Sequence, residues 1–474
     1  MQQDYARRLS IFLRPTFFGL AALVLLAGAS CIERPTTIDP VPDQPFRGIT
    51  LKLAASHPGD EETLHQLTRG WASRTGATVL VSSDPWNAST DVGLISPAEM
   101  PRWAETKQLV EVPLEIKLPT NPYRWGDLNP IESVRLTAWG SGTYALPVLG
   151  AGMVLVYRKD VFEGRSPPAS WDEMLEAASK FGPNSLPPLS KDPERLSAEF
   201  FAAAACYDRL AIGRLGNTIS EDFFAFQFDS STGMPRLDKP AFRHVAELFR
   251  SLQPFRSSAP DLATAFRSGA AKLGILSLKE LGQLGSETTD RLGVAPLPGS
   301  RLIFDAKDRR QPTEEGSINR VPYLGWGGRV GVVSTSCSSP EAAWDLLAEL
   351  GMPERTALDL IASPGIGAGP YRTSHLDHRA RPRWFAYGFS ATETERLTSA
   401  LRENLGPTVQ NYRVRLRTPN QHELAAILDA ELRNILKSDQ PANTTQLNER
   451  WKKAIEKMPP GEWKRVFRKS LGLS

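Results

Sequence analysis

The stretch YALPVLGAGMVLVYRKDVF, residues 144–162, decides the fold of this chain. It is a long run of strand-forming residues with Gly150 and Gly152 in its middle. Glycines inside an apolar strand pattern often mark a bend or a close approach of two backbones. A chain that crosses from one lobe to another needs such an interruption. The stretch therefore predicts two lobes, with a crossing near residues 148–153.

Strands and helices alternate on the amino-terminal side of this stretch. Strand-type runs occur at 48–56, 77–83 and 91–97, and between the first two lies a helical pattern that ends at Gly76. Such alternation predicts an α/β fold in which helices cover a parallel sheet.

The pattern continues on the carboxyl-terminal side. The residues PPASWDEMLEAASKF (167–181) predict a helix capped by Ser170, with acidic residues in its first turn. We expect further helices at 194–212, 239–252 and 420–437, and strands at 272–277, 291–298 and 328–335.

Polar and aromatic residues follow the first three predicted strands. In parallel sheets the loops at the carboxyl ends of the strands form the ligand crevice. These loops contain Ser56, His57, Asp84, Trp86, Ser96 and Glu99. They are therefore candidate ligand-binding residues.

The amino terminus predicts export. Arg7, Arg8 and Arg14 precede an apolar stretch at 17–29 that is too short to span a bilayer comfortably but suits a signal peptide. Cys31 follows small residues at its end, in a pattern that resembles the lipobox of bacterial lipoproteins, although Gly28 stands where that motif usually has Leu. We expect residues 1–31 to be a signal peptide with lipidation of Cys31, and the proline-rich residues 32–46 to form a tether. A simple secretory signal cut nearby, or an uncleaved anchor, remains an alternative.

Composition and charge exclude several classes. With 41% hydrophobic and 23% charged residues among 474, the chain is globular and long enough for two cores. Its net charge is +3, and it falls to about +1 once the first 30 residues are left out. We expect no nucleic-acid partner, because phosphate binding needs a clustered basic field.

The remaining cysteines and the motifs give no indication of catalysis. Cys206 and Cys337 either form one disulfide or are buried thiols. Neither has metal-ligand spacing, and no nucleophile, zinc or phosphate-loop motif stands in a suitable context. We expect no enzyme activity, no metal and no cofactor.

The order of sequence phrases over about 400 residues resembles the family 1 extracellular solute-binding proteins of ABC importers, the maltose-binding-protein-like group. The phrases are WASRTGATV (71–79), DVGLISPAEMPRWAETKQLVEV (91–112), GTYALPVLGAGMVLVYRKDVFE (142–163), PPASWDEMLEAASKF (167–181), LATAFRSGAAKLGI (262–275), RLGVAPLPGS (291–300), GWGGRVGVVSTSCSSPEAAWDLLAEL (325–350) and GAGPYRTS (367–374). Each phrase alone is a weak signal, but their shared order is specific.

The resemblance implies two Rossmann-like lobes of the periplasmic binding protein type II kind, built from discontinuous segments and joined by a hinge. We expect the N-lobe to comprise 47–149 and 277–335 and the C-lobe to comprise 150–276 and 336–474, with further crossings near 276 and 336. The implied partners are a small polar ligand, typically a sugar, and an ABC permease in the membrane. The implied state is an exported, lipid-anchored monomer.

The resemblance also implies site residues. Trp86 beside Asp84, and Trp326 beside Gly325, are candidates for stacking on a sugar, and Tyr371, Arg372 and Trp139 are candidates for ligand contact. For each tryptophan, packing within its own lobe is the alternative. The chain departs from the maltose-binding pattern at 150–152, where a ligand-binding Glu is missing, and at 276–282, where a stacking Trp is missing.

These patterns predict capture of a small polar solute by lobe closure, followed by docking on a permease. A solute-binding receptor or sensor without transport is an alternative, and an exported enzyme is a second one.

Overall fold

The computed structural model describes residues 44–55, 59–208, 226–229, 231–305, 307–353, 356–405 and 412–472. The expected signal peptide, Cys31 and residues 32–43 of the expected tether lie outside these ranges. Residues 44–46 already belong to the folded part, since Phe46 packs on Trp71 with ring centroids 5.9 Å apart. Within the described ranges, no helix is both long enough and apolar enough to cross a bilayer.

The secondary structure alternates between strands and helices along most of the chain. The strands are β1 (Thr50–Ala54), β2 (Thr78–Ser82), β3 (Val92–Ile95), β4 (Ala138–Trp139), β5 (Gly142–Thr143), β6 (Leu146–Leu149), β7 (Met153–Arg158), β8 (Leu273–Ser277), β9 (Leu292–Ala295), β10 (Leu302–Phe304), β11 (Arg310–Pro312), β12 (Tyr323–Leu324), β13 (Arg329–Val333) and β14 (Arg413–Val414). The α-helices are α1 (Glu61–Thr75), α2 (Met100–Glu105), α3 (Leu114–Lys117), α4 (Trp171–Phe181), α5 (Pro193–Tyr207), α6 (Pro240–Leu252), α7 (Leu262–Arg267), α8 (Leu278–Gly282), α9 (Ser286–Thr289), α10 (Pro340–Leu350), α11 (Thr356–Ile361), α12 (Arg381–Trp384), α13 (Ala391–Leu405), α14 (Gln421–Lys437), α15 (Thr445–Glu456) and α16 (Glu462–Ser470). Short 3-10 helices lie at Trp125–Asp127, Gln253–Phe255, Glu314–Gly316, Thr373–Leu376 and Phe385–Tyr387, and a π-helical turn lies at Glu132–Leu136.

The first lobe is built on a five-stranded sheet in the order β2–β1–β3–β13–β6. β1 runs parallel to β2 and β3, whereas β13 runs antiparallel to β3 and β6. Alternate residues of each strand point to opposite faces. Leu53 and Leu94 therefore join the core that contains Trp71 of α1 and Trp344 of α10, and Val330 joins a core on the other face. The expected parallel sheet is thus confirmed for β1, β2 and β3.

The second lobe is built on a three-stranded sheet in the order β8–β7–β9. Both strand pairs are antiparallel, so the parallel arrangement expected from the alternating pattern is wrong for this sheet. Leu155 faces the core formed with α4, α5 and α6, and Val156 faces the core that contains α13. The two sheets and their helices form a two-lobe α/β fold, as the sequence predicts.

Three crossing segments lie side by side and form the hinge, which we define as residues 149–152, 325–328 and 367–370. Gly150 and Gly369 exchange two backbone hydrogen bonds of 3.1 and 2.9 Å. Gly328 has a positive φ of 81°, and a side chain there would collide with the carbonyl oxygen of Leu149. The predicted glycine-bearing crossing near 148–153 is therefore a place where backbones meet without side chains between them.

Two segments of the chain belong to a different lobe from the one expected for them. β9 lies in the range 277–335, expected in the N-lobe, but pairs with β7 of the second lobe. α10 lies in the range 336–474, expected in the C-lobe, but packs on β6 and β13 of the first lobe. The later crossings are therefore at 325–328 and at 367–370 rather than near 276 and 336. The chain stays in the second lobe after β8 because Ser277 caps α8 and β9 then adds to the free edge of β7.

The two cysteines in the described part of the chain are separate. Cys206 and Cys337 are both buried and free, which corresponds to the buried-thiol alternative. Burial raises the pKa of Cys206 to about 11, so its thiol is protonated and unreactive at neutral pH.

Candidate functional site

A cavity of about 550 Å³ lies between the lobes, beside the hinge. The first lobe lines it with Pro85, Trp86, Ile95, Ser96, Glu99, Trp103 and Arg329. The hinge and its flanks line it with Leu149, Gly150, Ala151, Gly152, Trp326, Gly327, Gly328, Ile366 and Gly367. The second lobe lines it with Ser190, Asp192, Glu194, Arg195, Ser277, Leu278, Lys279, Glu280, Gln283 and His422. A molecule bound in this cavity therefore contacts both lobes.

Two tryptophans form the wall on the side of the first lobe. The ring of Trp86 meets the ring of Trp103 edge to face, with centroids 4.8 Å apart. The indole N–H of Trp86 donates to the carbonyl oxygen of Thr90 at 3.1 Å, and the ring lies so close to Gly93 that a side chain there would collide with it. Trp86 is therefore fixed in the lobe, and although it lines the cavity it is only 5% exposed.

Trp326 lines the cavity from the hinge. Its ring packs partly against the core of the second lobe and remains half-buried. Its backbone oxygen accepts a hydrogen bond from Arg415 at 3.4 Å, which fixes the loop to that lobe. An indole face held next to polar groups suits a ligand that has both an apolar face and a polar rim.

A histidine connects the two lobes across the cavity. His422, at the start of α14, lies with Nε2 3.5 Å from Oε1 of Glu99 in the first lobe and with Nδ1 3.4 Å from Oε1 of Glu194 in the second. Hydrogen bonds to these two carboxylates raise the pKa of His422 to about 9. Burial raises the pKa of Glu194, but the charge of Arg415 and the bond to His422 outweigh it, so that the net pKa is lowered. The contact is therefore an ion pair at neutral pH.

Three further ion pairs involve residues that line the cavity. Arg195 donates to Glu199 at 3.0 Å and to Glu280 at 3.3 Å, and all three belong to the second lobe. Arg329 pairs with Asp60 inside the first lobe, and both side chains are buried. Buried charges of this kind need such partners, because an unpaired one costs several kcal/mol.

Four of the predicted site residues line the cavity, namely Trp86, Ser96, Glu99 and Trp326. Ser96 and Glu99 hold each other, since the backbone N–H of Ser96 donates to Oε2 of Glu99 at 3.1 Å. Ser56 and His57 lie outside the described residues.

Three other predicted residues lie away from the cavity. Asp84 is exposed in the loop after β2. Trp139 is buried and donates its indole N–H to Glu105 at 2.7 Å, so it packs within the first lobe. Gly325 has a φ of 77° and faces Leu136 rather than the cavity.

Tyr371 and Arg372 also lie away from the cavity, although the family phrase placed them at the cleft. Arg372 is buried, and it donates to the carbonyl oxygens of Arg124 at 3.0 Å and Gly351 at 2.7 Å. Its guanidinium lies 4.5 Å from the ring centre of Tyr123. Packing within the first lobe therefore accounts for this pair.

The side of the cavity that the second lobe provides contains none of the predicted site residues. Asp192 accepts from the amide of Glu194 at 2.9 Å and so caps α5, whereas Ser277 and Glu280 form a capping box at the start of α8. Both helix starts are visible in the sequence as cap patterns. What the patterns do not reveal is that these starts face the same cavity as His422.

Solved structures of similar fold include several solute-binding proteins. An ABC transporter solute-binding protein of Agrobacterium radiobacter K84, in complex with ribitol, has a TM-score of 0.64 at 15% identity, over 86% of this chain and 100% of that one. Maltose-bound T. maritima MalE3 has a TM-score of 0.61 at 17% identity, over 86% and 100%. The GacH receptor of Streptomyces glaucescens GLA.O, solved unliganded and with acarbose, has a TM-score of 0.60 at 15% identity, over 86% and 99%. At these identities the likeness shows the fold alone.

Among curated protein sequences, none matches this chain significantly. A family model, however, matches residues 77–382, well over half of the chain, and its description is bacterial extracellular solute-binding protein. The resemblance drawn from the sequence phrases is thereby confirmed. The chain belongs to the bacterial extracellular solute-binding proteins.

Proposed function

We propose that this protein captures a small polar solute, a carbohydrate or polyol, in the cavity between its lobes and presents it to an ABC permease. The observation that carries the proposal is the cavity beside a three-segment hinge, lined by tryptophans and by polar side chains from both lobes. The ligands named for proteins of similar fold, ribitol, maltose and acarbose, support a polyhydroxy compound. Binding involves no covalent step in this proposal.

We also propose that the exported chain is anchored by lipid on Cys31 and acts as a monomer. Mass spectrometry of the membrane-bound protein would then show a lipid on Cys31 as the first residue of the processed chain. An unmodified Cys31 in that protein would contradict the lipid anchor.

Isothermal calorimetry of the chain lacking its first 31 residues, against a panel of sugars and polyols, tests the binding function. We expect saturable binding of at least one panel member, and Trp326→Ala should weaken it by roughly 5- to 30-fold, because a stacked indole face contributes about 1–2 kcal/mol. The matched control is Trp125→Ala in the first lobe, away from the cavity, with a change of less than about twofold. Failure of every panel member to bind would overturn the proposal.

A further inference from the structure

The charged side chains around the cavity are, with two exceptions, engaged in ion pairs. The pairs are Glu99 and Glu194 with His422, Glu280 with Arg195, and Arg329 with Asp60. Within the described ranges, the exceptions are Lys279 and Asp192. Lys279 also makes no side-chain hydrogen bond to any described residue.

The charge of Asp192 is accounted for by its position at the start of α5. Its carboxylate accepts from the amide of Glu194 at 2.9 Å and stands at the amino terminus of α5, where a negative charge is favourable. Its side chain is exposed to solvent as well. Capping and solvation therefore account for Asp192 without a ligand.

Lys279 has no comparable local use. It lies in α8, a helix of only five residues in which the first and last turns overlap, so the helix dipole gives its charge no defined partner. Its side chain is half-buried, and burial lowers its pKa, as does the charge of Arg329, whereas the charges of Asp60 and Asp192 raise it. The ammonium group is thus partly desolvated next to the Arg329–Asp60 pair, with no anion in contact.

The backbone under Lys279 is held in place. A side chain at Gly367 of the hinge would collide with the backbone and Cβ of Lys279, and one at Gly282 would collide with the carbonyl oxygen of Pro364. α8 therefore lies directly against the third crossing segment. Gln283, one turn further along, also lines the cavity and offers an amide N–H.

We infer that the solute captured in this cavity carries an anionic group, a carboxylate or a phosphate, which pairs with Lys279 next to Gln283. The inference rests on the proposed function and narrows its ligand from polyhydroxy compounds in general to acidic ones. The physical reason is desolvation: a ligand in the cavity removes the remaining water from the ammonium, and burying an unpaired charge is costly. An anionic group on the ligand removes that cost, while hydroxyls alone do not.

Calorimetry with matched ligands tests the inference: galactose with galacturonate and galactose 6-phosphate, and glucose with glucuronate and glucose 6-phosphate. We expect an acidic member to bind at least about 10-fold more tightly than its neutral parent. Comparison of the uronates with the 6-phosphates shows whether the cavity prefers a carboxylate or a phosphate. Lys279→Gln should weaken the acidic ligand at least about 10-fold and the neutral one less than about threefold. Lys180→Gln, an exposed lysine on α4, is the matched control and should change neither.

The outcomes separate this inference from the function on which it rests. Equal affinity for the neutral and acidic members of a pair, or an acid preference that survives Lys279→Gln with unchanged circular dichroism, overturns the anionic ligand and leaves solute binding intact. If neither the matched set nor the wider sugar and polyol panel binds, both proposals fail. A preference that is lost only in Lys279→Gln supports the inference.

Discussion

Replacing Gly150 by alanine tests whether the hinge depends on contact between bare backbones. The new Cβ would lie 2.7 Å from the carbonyl oxygen of Gly369 and would also collide with that of Pro370. Because both are backbone atoms, neither can rotate away as a side chain would. The two crossing segments must separate, which disrupts the hydrogen bonds of 3.1 and 2.9 Å between Gly150 and Gly369.

The size of the effect follows from these two changes. Each lost hydrogen bond costs about 1 kcal/mol. Overpacking costs a further 1 to 3 kcal/mol, so we expect Gly150→Ala to lower the free energy of unfolding by about 3–5 kcal/mol. Urea unfolding followed by tryptophan fluorescence measures it. The control is Gly126→Ala, where the new Cβ has open space and φ is not left-handed, with a change under about 0.5 kcal/mol. A Gly150→Ala protein as stable as the control would refute close packing at the hinge.

Two further predictions concern ion pairs between elements distant in the chain. Glu105 accepts hydrogen bonds from Trp139 and from the basic residues of α16. These bonds outweigh the effect of burial and lower the pKa of Glu105 to about 2. Its contribution to the free energy of unfolding is therefore complete above pH 4.5 and is lost as the pH falls toward 2. Glu105→Gln should therefore lower the free energy of unfolding at pH 6 by about 1–2 kcal/mol after solvent screening, and by much less at pH 3. The control Glu163→Gln, at an exposed position, should leave the free energy of unfolding unchanged at both pH values. An equal loss for Glu105→Gln at both pH values would contradict the ion pair. The pKa of His422 is raised to about 9. Its contribution to the free energy of unfolding is therefore complete below pH 6.5 and is lost as the pH rises through 9. His422→Asn should cost at most about 1 kcal/mol in urea unfolding at pH 6, because the pair is partly exposed, and nothing at pH 10; a loss that persists at pH 10 would show that packing, not charge, holds the residue.

Local patterns in the sequence located most elements well. The helix predicted at 420–437 is observed at Gln421–Lys437, and the strands predicted at 272–277 and 328–335 are observed at Leu273–Ser277 and Arg329–Val333. The predicted cap is also present, since Ser170 accepts from the amide of Glu173 at 3.2 Å. Periodicity and cap residues act over one or two turns, so they are readable without the tertiary structure.

Features that depend on distant partners could not be read in this way. The residues 291–298 are strand-forming, but their local pattern does not indicate whether the strand pairs with β7, as observed, or with the first sheet. The sequence around Arg372 matches the family phrase, but the guanidinium of Arg372 donates its hydrogen bonds to carbonyl groups inside the first lobe. His422 and Glu194 stand 228 positions apart in the sequence, and only the packing of α14 against α5 makes them neighbours.

The two charged regions of the cavity differ in what lobe opening does to them. The contact between Glu99 and His422 joins the lobes, and its side chains are 37% and 57% exposed, so separation of the lobes breaks it and lets water solvate both groups. The Arg329–Asp60 pair lies within the first lobe, and both of its side chains are at most 5% exposed, so opening leaves it unchanged. Lys279 stands beside that permanent pair, on a helix pressed against the hinge. We therefore expect the pair between the lobes to affect how readily the cleft closes, and the region at the hinge to affect which solute it closes on.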